Sequence, residues 1–578
     1  MQLVYPVSKP DQPYRIYESA TMAIGNIAPE NRLKINGEEK TSEVSAQGFF
    51  AIKIVLNDGG NLIRCQELAP DGRILAEASS TVMVALPLAP LSYDPLQVHP
   101  ETMTPQQEMA LLPGDTMRVA VSASDGADVG VMIDGVLPEP VWLSAAFDDE
   151  ETENQKELYI DNRSMVFKQW HQMQARIARK GYCEKLITIP ETTTPVENAA
   201  IRFVLRNDYQ ERTLDPVSHL SVWASPKTIR VHTDRAVVRT GAADDYDRLT
   251  PQRKGVLLAV DRQEGDWLRA VCGDDYFWIQ VKDVMFEGVV IPPAPPQLSA
   301  VWMSGVSQHI TTLGLALNEG ARPPVLIDTG ENTLSIFLPG VVLADMMNIT
   351  EERCEVKAVD GGVKVSLSVP DLYLSGYDYR YGSQGVEVLL KTLPKTPAET
   401  RILIDPGHGG DEWGSTGPSG LPEKTLNLLL AKQLLDKLSE RGFQVSLSRG
   451  IDRNLSLLHR EKIASEIEAD IVLSIHHNAL PDGRDPKEHE GACTFYYHAF
   501  SKPLAIGIEN ALVQNAGQNL YGVFHESFYM TRIHHAVSVL IELGFFTKPD
   551  EFERLINPEF QQQATEAIAQ AVEAFITR

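Results

Sequence analysis

The periodicity of the chain changes class near Pro397, and that change dictates a modular fold. Before it, short apolar runs alternate with polar residues and are broken by Gly, Pro, Asn and Asp; after it, apolar strand-length runs alternate with stretches of helical spacing. The first pattern builds sandwiches and barrels, the second an α/β unit with a mixed or mostly parallel sheet. At 578 residues the chain also exceeds what one hydrophobic core organises. The expected architecture is therefore multidomain, with several all-β modules followed by a C-terminal α/β domain.

Residues 1–90 carry strand runs between turn signals at Asn36-Gly37, Asn57-Asp58-Gly59-Gly60 and Asp71-Gly72, a rhythm that resembles bacterial Ig-like sandwiches. Residues 91–225 read as a second sandwich-like module, with an insertion marked by the acidic run Asp148 to Glu153 and a helix-like stretch around Phe167 to Ile177. Residues 226–290 hold short strands around Gly255, Gly265-Asp266-Trp267 and Phe277-Trp278-Ile279, and resemble a bacterial SH3-like barrel in which Trp267 and Trp278 serve packing. Residues 291–297 are a stiff proline-rich linker through Pro292, Pro293, Pro295 and Pro296. A further all-β module is expected over 298–393, a short linker over 394–400, and the α/β domain over 401–578.

With 52 Lys+Arg against 78 Asp+Glu, the net charge of -26 argues against a dispersed electrostatic grip on nucleic acid or anionic lipid. Five scattered cysteines form no Cys-x-x-Cys site and no disulfide framework. No apolar run is long enough for a spanning helix, and the first residues lack the charge and apolar pattern of a signal peptide.

Chemistry concentrates after residue 400, where nine of the 14 histidines lie. The run Arg401-Ile-Leu-Ile-Asp405 ends in Pro406-Gly407-His408-Gly409-Gly410, a strand feeding a glycine-rich turn. Glu423 opens a helix with Leu426, Leu429, Leu430, Leu434, Leu435 and Leu438 on one face. A second apolar strand ends in His476-His477-Asn478, and because adjacent strand residues face opposite ways, only one of these histidines can share a site with His408. A third ends on Glu542, which is costly to bury unpaired. In open α/β sheets the ligand crevice lies at the carboxyl ends of the strands, where these residues converge. Two histidines and a glutamate with an open position make a catalytic zinc set, and another glutamate beside it can act as base and then acid. A set with His534 or His535 in place of Glu423 is the competing arrangement; the other histidines default to surface or supporting positions.

Taken together, Asp405-Pro-Gly-His408-Gly-Gly, Glu423-Lys424 before a Leu-rich helix, Ser474-Ile-His476-His-Asn478 and Ile541-Glu542-Leu-Gly-Phe545 resemble the zinc-dependent N-acetylmuramoyl-L-alanine amidases of the type 3 catalytic domain, over 401–578. The resemblance implies that His408, Glu423 and His476 hold zinc and that Glu542 is catalytic. Val537, where a proline is common, and Thr547-Lys548, in place of a usual Ser-Asn, depart from the pattern away from those positions. It also implies a peptidoglycan substrate and an extracytoplasmic location, with the β modules positioning the enzyme on wall or protein partners. A non-catalytic wall-binding protein with a relic domain, and a zinc peptidase on a similar scaffold, are the alternatives. Some members of the family block the zinc site with an inserted helix; here the segment from Ala479 to Glu490, split by Pro481, Gly483 and Pro486, is too short and interrupted to form one.

Overall fold

In the computed structural model, residues 1–9, 12–16, 18–84, 90–145, 181–273, 275–287, 295–369 and 374–577 are described. The acidic run and helix-like stretch expected at 148–177, and Pro292 and Pro293 of the proline-rich linker, lie outside them.

The strand-rich part divides into four cores. Residues 2–84 form a three-stranded sheet centred on Ala20–Asn26 and a five-stranded sheet containing Gly59–Leu68 and Ile74–Val84. They enclose Leu33, Ile35, Phe50, Ile52, Ile63 and Val82. The next two modules have separate cores, around Val119, Ile201 and Phe203 and around Ile229, Leu268 and Phe277. They share one sheet, however, because Met109–Leu111 pairs parallel with Ser218–Val222 and antiparallel with Leu257–Glu264. The boundary expected at 225/226 thus parts two cores without parting the hydrogen bonding. Trp267 and Trp278 are buried. The fourth core lies between a five-stranded and a four-stranded sheet spanning Gln297 to Thr392.

The last domain has strands β1 (Arg401–Pro406), β2 (Gln444–Leu447), β3 (Ile471–Asn478), β4 (Ala492–Tyr496), β5 (Leu520–His525) and β6 (Val537–Phe545). Its helices are α1 (Glu423–Glu440), α2 (Leu457–Glu466), α3 (Lys502–Ala516), α4 (Pro549–Leu555) and α5 (Pro558–Thr577). The sheet order is β2-β1-β3-β6-β4-β5, and β4 runs antiparallel to β6 while the other neighbouring pairs are parallel. The reversal of strand order around β1 places a crevice between the carboxyl ends of β1 and β3.

Period-two alternation decides which side chains reach that crevice. Ile402, Ile404, Ile471, Leu473, Ile475, Val539 and Ile541 pack on one face against α1 and α5. Leu403 and Val472 turn to the other face, against Ala464 of α2, Met530 and Ile533. His476 and Glu542, alternating with Ile475 and Ile541, belong to that second face and sit directly opposite each other. Helix α1 buries Leu426, Leu430, Leu434 and Leu438 at four-residue spacing, whereas Leu429 remains exposed. Its apolar stripe is therefore narrower than its leucine content indicates.

The β modules are packed onto the last domain. The loop after β3 lies on the N-terminal sandwich: Tyr5 and Thr21 hydroxyls each donate to Asp482 at 2.6 Å, and the Gly483 N–H donates to the Ala20 carbonyl. Leu480 packs with Met22, Ile24 and Ala51, and Lys487 pairs with Glu43. Phe49 meets Phe552 of α4 edge-on, with ring centroids 5.1 Å apart. No helix forms in this loop. On another side, Tyr377 of the fourth module lies against the rings of His498 and His534. Arg235 of the barrel pairs with Glu461 of α2.

Candidate metal centre

Three side chains meet at the β1/β3 crevice. Glu423, the first residue of α1, presents Oε2 to His408 Nε2 at 3.4 Å and Oε1 to His476 Nδ1 at 3.2 Å. The donor atoms of all three lie within 4.8 Å of one another, with Glu423 buried and both histidines partly accessible. Buried carboxylates are held by donors, and Glu423 has a full set. Ser415 gives its N–H and hydroxyl to Oε2, while Asn427 Nδ2 and the His477 N–H donate to Oε1. Burial alone would raise its pKa, but the His408 and His476 rings outweigh it and hold the carboxyl well below the ordinary range.

The turn after β1 is shaped for this arrangement. His408 itself takes a left-handed φ of 60°, an uncommon conformation for a residue with a side chain. Gly407 must lack a side chain because a Cβ there would lie 2.1 Å from His476 Cε1. Two buried arginines grip the turn's carbonyls. Arg460 donates to Pro406 at 2.8 Å and His408 at 2.7 Å, and Arg449 donates to Pro406 at 3.0 Å and Gly407 at 2.8 Å. Asp405 balances Arg460 at 2.5 Å and also accepts from Ser448 and Ser474.

Glu542 faces His476 from β6 and has Cys493 of β4 on its other side. Its Oε2 is sealed from solvent and has no hydrogen-bond partner among the described residues. Burial, then the charge of Glu423, pushes its carboxyl well above the ordinary range. A buried carboxyl that holds its proton readily, beside two imidazoles and a carboxylate, is suited to moving a proton.

His477 turns the other way. Its Nδ1 lies 2.7 Å from Asn427 Oδ1, and burial lowers its pKa to about 4, so it is a neutral ring under the site. His459 and His525 are exposed. His498 and His534, expected at surface or supporting positions, are buried: the fourth module lays Tyr377 over both, and burial lowers the His498 pKa to about 3. His534 contacts Arg235, away from Glu423's partners. Ser415, Asn427, Arg449 and Arg460 were not singled out in the sequence. The available signal was Asp405, a charge inside an apolar strand that must find a buried partner.

Two histidines and a carboxylate at the carboxyl ends of parallel strands, with a proton-holding glutamate beside them, define an α/β domain equipped for metal-assisted hydrolysis. The family model for N-acetylmuramoyl-L-alanine amidase matches residues 402–574. Over 178 residues the chain is 34% identical to the uncharacterized protein YqiI of Bacillus subtilis, covering 30% of this chain and 84% of that one. It is 38% identical over 168 residues to the N-acetylmuramoyl-L-alanine amidase LytC of the same organism, covering 29% of this chain and 34% of LytC. The crystal structure of an N-acetylmuramoyl-L-alanine amidase from Clostridium difficile 630 shares 35% identity, covering 31% of this chain and 97% of that one, with a TM-score of 0.30. The chain belongs to the N-acetylmuramoyl-L-alanine amidase family. It spans about a third of LytC, and the 402–574 match leaves the β modules outside it.

Proposed function

We propose that the chain is a peptidoglycan hydrolase that cuts the amide between the lactyl group of N-acetylmuramic acid and L-alanine of the stem peptide. The observation that carries this reading is the facing of His408, Glu423 and His476, with Glu542 across the strand pair. The donor set suits zinc. The ligand atoms that His408, Glu423 and His476 offer lie within 4.8 Å of one another, and imidazole nitrogen and carboxylate oxygen are ordinary zinc donors. Oε2 of Glu542, without a hydrogen-bond partner among the described residues, is the kind of group that a bound water and ion satisfy.

His408, His476 and Glu423 would hold the ion, which supplies Lewis acidity toward the scissile carbonyl and toward water. The chain's own residues do the rest. Arg449 and Arg460 fix the turn so that the His408 ring faces Glu423. Ser415 and Asn427 orient the Glu423 carboxylate. Glu542 takes a proton from the attacking water and delivers it to the amide nitrogen as the bond breaks.

The substrate places the enzyme outside the cytoplasm, and the β modules position the catalytic domain on the wall or on partners. The test is mass analysis of purified muropeptides after incubation with the metal-loaded full chain. Release of intact stem peptides and peptide-free glycan is expected. Cuts within the peptide would identify a zinc peptidase, and zinc-loaded protein that leaves muropeptides intact would identify a non-catalytic protein.

A further inference from the structure

Trp413 precedes Gly414, whose backbone lines the candidate metal centre, and 54% of its surface is exposed. Single exposed hydrophobics are ordinary, so what marks Trp413 is a large aromatic face carried by the loop that lines the candidate site. Trp413 is held rigidly. Its carbonyl accepts from the Lys424 N–H at 3.1 Å, and Gly409 and Glu412 exchange backbone hydrogen bonds across the turn before it. The Gly410 N–H donates to Asp452 and the Asp411 N–H to Asn454, tying this loop to the one after β2. Among the described residues, the ring's recorded neighbour is the Lys424 ammonium, 5.7 Å from its centroid. That ammonium is engaged by Asp452 and the Gly410 carbonyl.

The indole is also close to the reacting centre along the chain. The next residue, Gly414, takes a φ of +70°, and a Cβ there would lie 2.4 Å from Glu423 Oε2 and 2.6 Å from His408 Cδ2. Ser415 follows and donates twice to Glu423. The backbone that carries the indole is thus one residue from the backbone that lines the candidate metal centre.

The charge around the indole selects between the two halves of the substrate. Asp411, Glu412 and Asp452 are exposed on this rim, and Lys424 offsets Asp452. A stem peptide brings carboxylates, which such a rim repels. A muramyl ring whose lactyl carboxyl is tied up in the amide is uncharged, and it offers a flat C–H face to an indole and hydroxyls to neighbouring carboxylates.

We propose that Trp413 is the platform on which the N-acetylmuramyl ring of the substrate stacks, fixing the sugar side of the scissile amide. This rests on the amidase reading above. The test uses the metal-loaded full chain with two substrates of identical peptide, one carrying the N-acetylmuramyl ring and one carrying only a lactoyl group. Trp413→Ala should reduce the preference in kcat/KM for the sugar-bearing substrate about tenfold, chiefly through KM, and Trp413→Phe should restore most of it. Equal losses on both substrates would mean that the residue only anchors the loop under Glu423, and no loss would leave it without a role; either overturns the proposal. A second measurement separates this from the amidase reading: calorimetric binding of N-acetylmuramic acid amidated at its lactyl carboxyl to Glu542→Gln, with and without Trp413→Ala. If the wild type cleaves neither substrate but the sugar binds in a Trp413-dependent way, the amidase reading fails and the platform stands. Sugar binding indifferent to Trp413 overturns the platform.

Discussion

A carboxylate buried between two imidazoles is stable when positive charge lies among them, as protons on the rings or as a metal ion, and this makes Glu423 the residue on which the site turns. His476→Ala and His408→Ala are each expected to lose one bound zinc per chain, whereas His477→Ala should retain it, because the His477 ring bonds Asn427 beneath the site. Metal analysis of the purified variants checks this, and zinc lost from His477→Ala but kept by His476→Ala would reverse the assignment. The two glutamates separate in the same assay. Glu423→Gln should weaken zinc affinity, while Glu542→Gln should keep zinc and fold yet lose at least a hundredfold in hydrolysis, the usual range for a proton-transfer group. Equal zinc loss in both would make Glu542 a ligand. Arg460→Met acts one step further out: it frees the His408 carbonyl, removes one of the two donors on the Pro406 carbonyl and leaves Asp405 buried without its ion pair. Zinc affinity should fall about 10- to 100-fold, as on loss of other outer supports of metal ligands, together with a drop in melting temperature.

At the scale of elements, what was legible in the sequence was whatever a single strand or helix determines alone. The runs ending at His408, His476 and Glu542 advertise buried strands with polar carboxyl ends, and period two says that one of the paired histidines must turn away. The clamp by Arg449 and Arg460 was not legible, because both sit in stretches rich in charge and glycine where an exposed arginine is the ordinary expectation; only the finished packing against Asp405 buries them. The narrow stripe of α1 was missed for a similar reason, since a leucine at the margin of a helical face is covered only if a neighbour reaches it, and none covers Leu429. Helix α3 shows how packing also creates charge strain. Glu509 is buried there with neither carboxylate oxygen hydrogen-bonded among the described residues, and burial pushes its pKa to about 8. Below the ordinary glutamate value both folded and unfolded chains hold the proton, and the group adds no pH-dependent cost. As pH rises toward about 8 the unfolded chain releases its proton while the folded one resists, so stability falls across that window and levels off above it. Glu509→Gln should therefore match the wild type in denaturant unfolding near pH 4 and gain stability progressively to pH 8 and above, by roughly 5 kcal/mol at most. A gain that is the same at both ends of the range would show that Glu509 is not the titrating group.

At the scale of the whole molecule, the β modules are not beads on a string. Their attachment was invisible in the sequence because Leu480, Met22 and Phe49 look like ordinary core or surface residues until two domains meet. Among the described residues, those at the candidate metal centre come from the last domain, and no helix lies in the loop after β3, so the segment 401–578 should retain hydrolysis without an added activator. What it should lose is the order of that loop. In the full chain, Asp482 is held by Tyr5 and Thr21, Gly483 by the Ala20 carbonyl, and Leu480 by Met22 and Ile24. Deleting the sandwich removes these partners at once and uncovers Phe552, which Phe49 otherwise covers. Amides at 480–487 should then exchange with solvent at least tenfold faster in the isolated domain than in the full chain, while those of β1, β3 and β6 change little, because the sheet's own pairing is intact. Asp482→Ala in the full chain should reproduce part of the effect. Unchanged exchange at 480–487 after deletion would show that the loop is rigid on its own account. An isolated domain that is folded and zinc-loaded yet inert on purified sacculi would show instead that the docked sandwich completes the active enzyme.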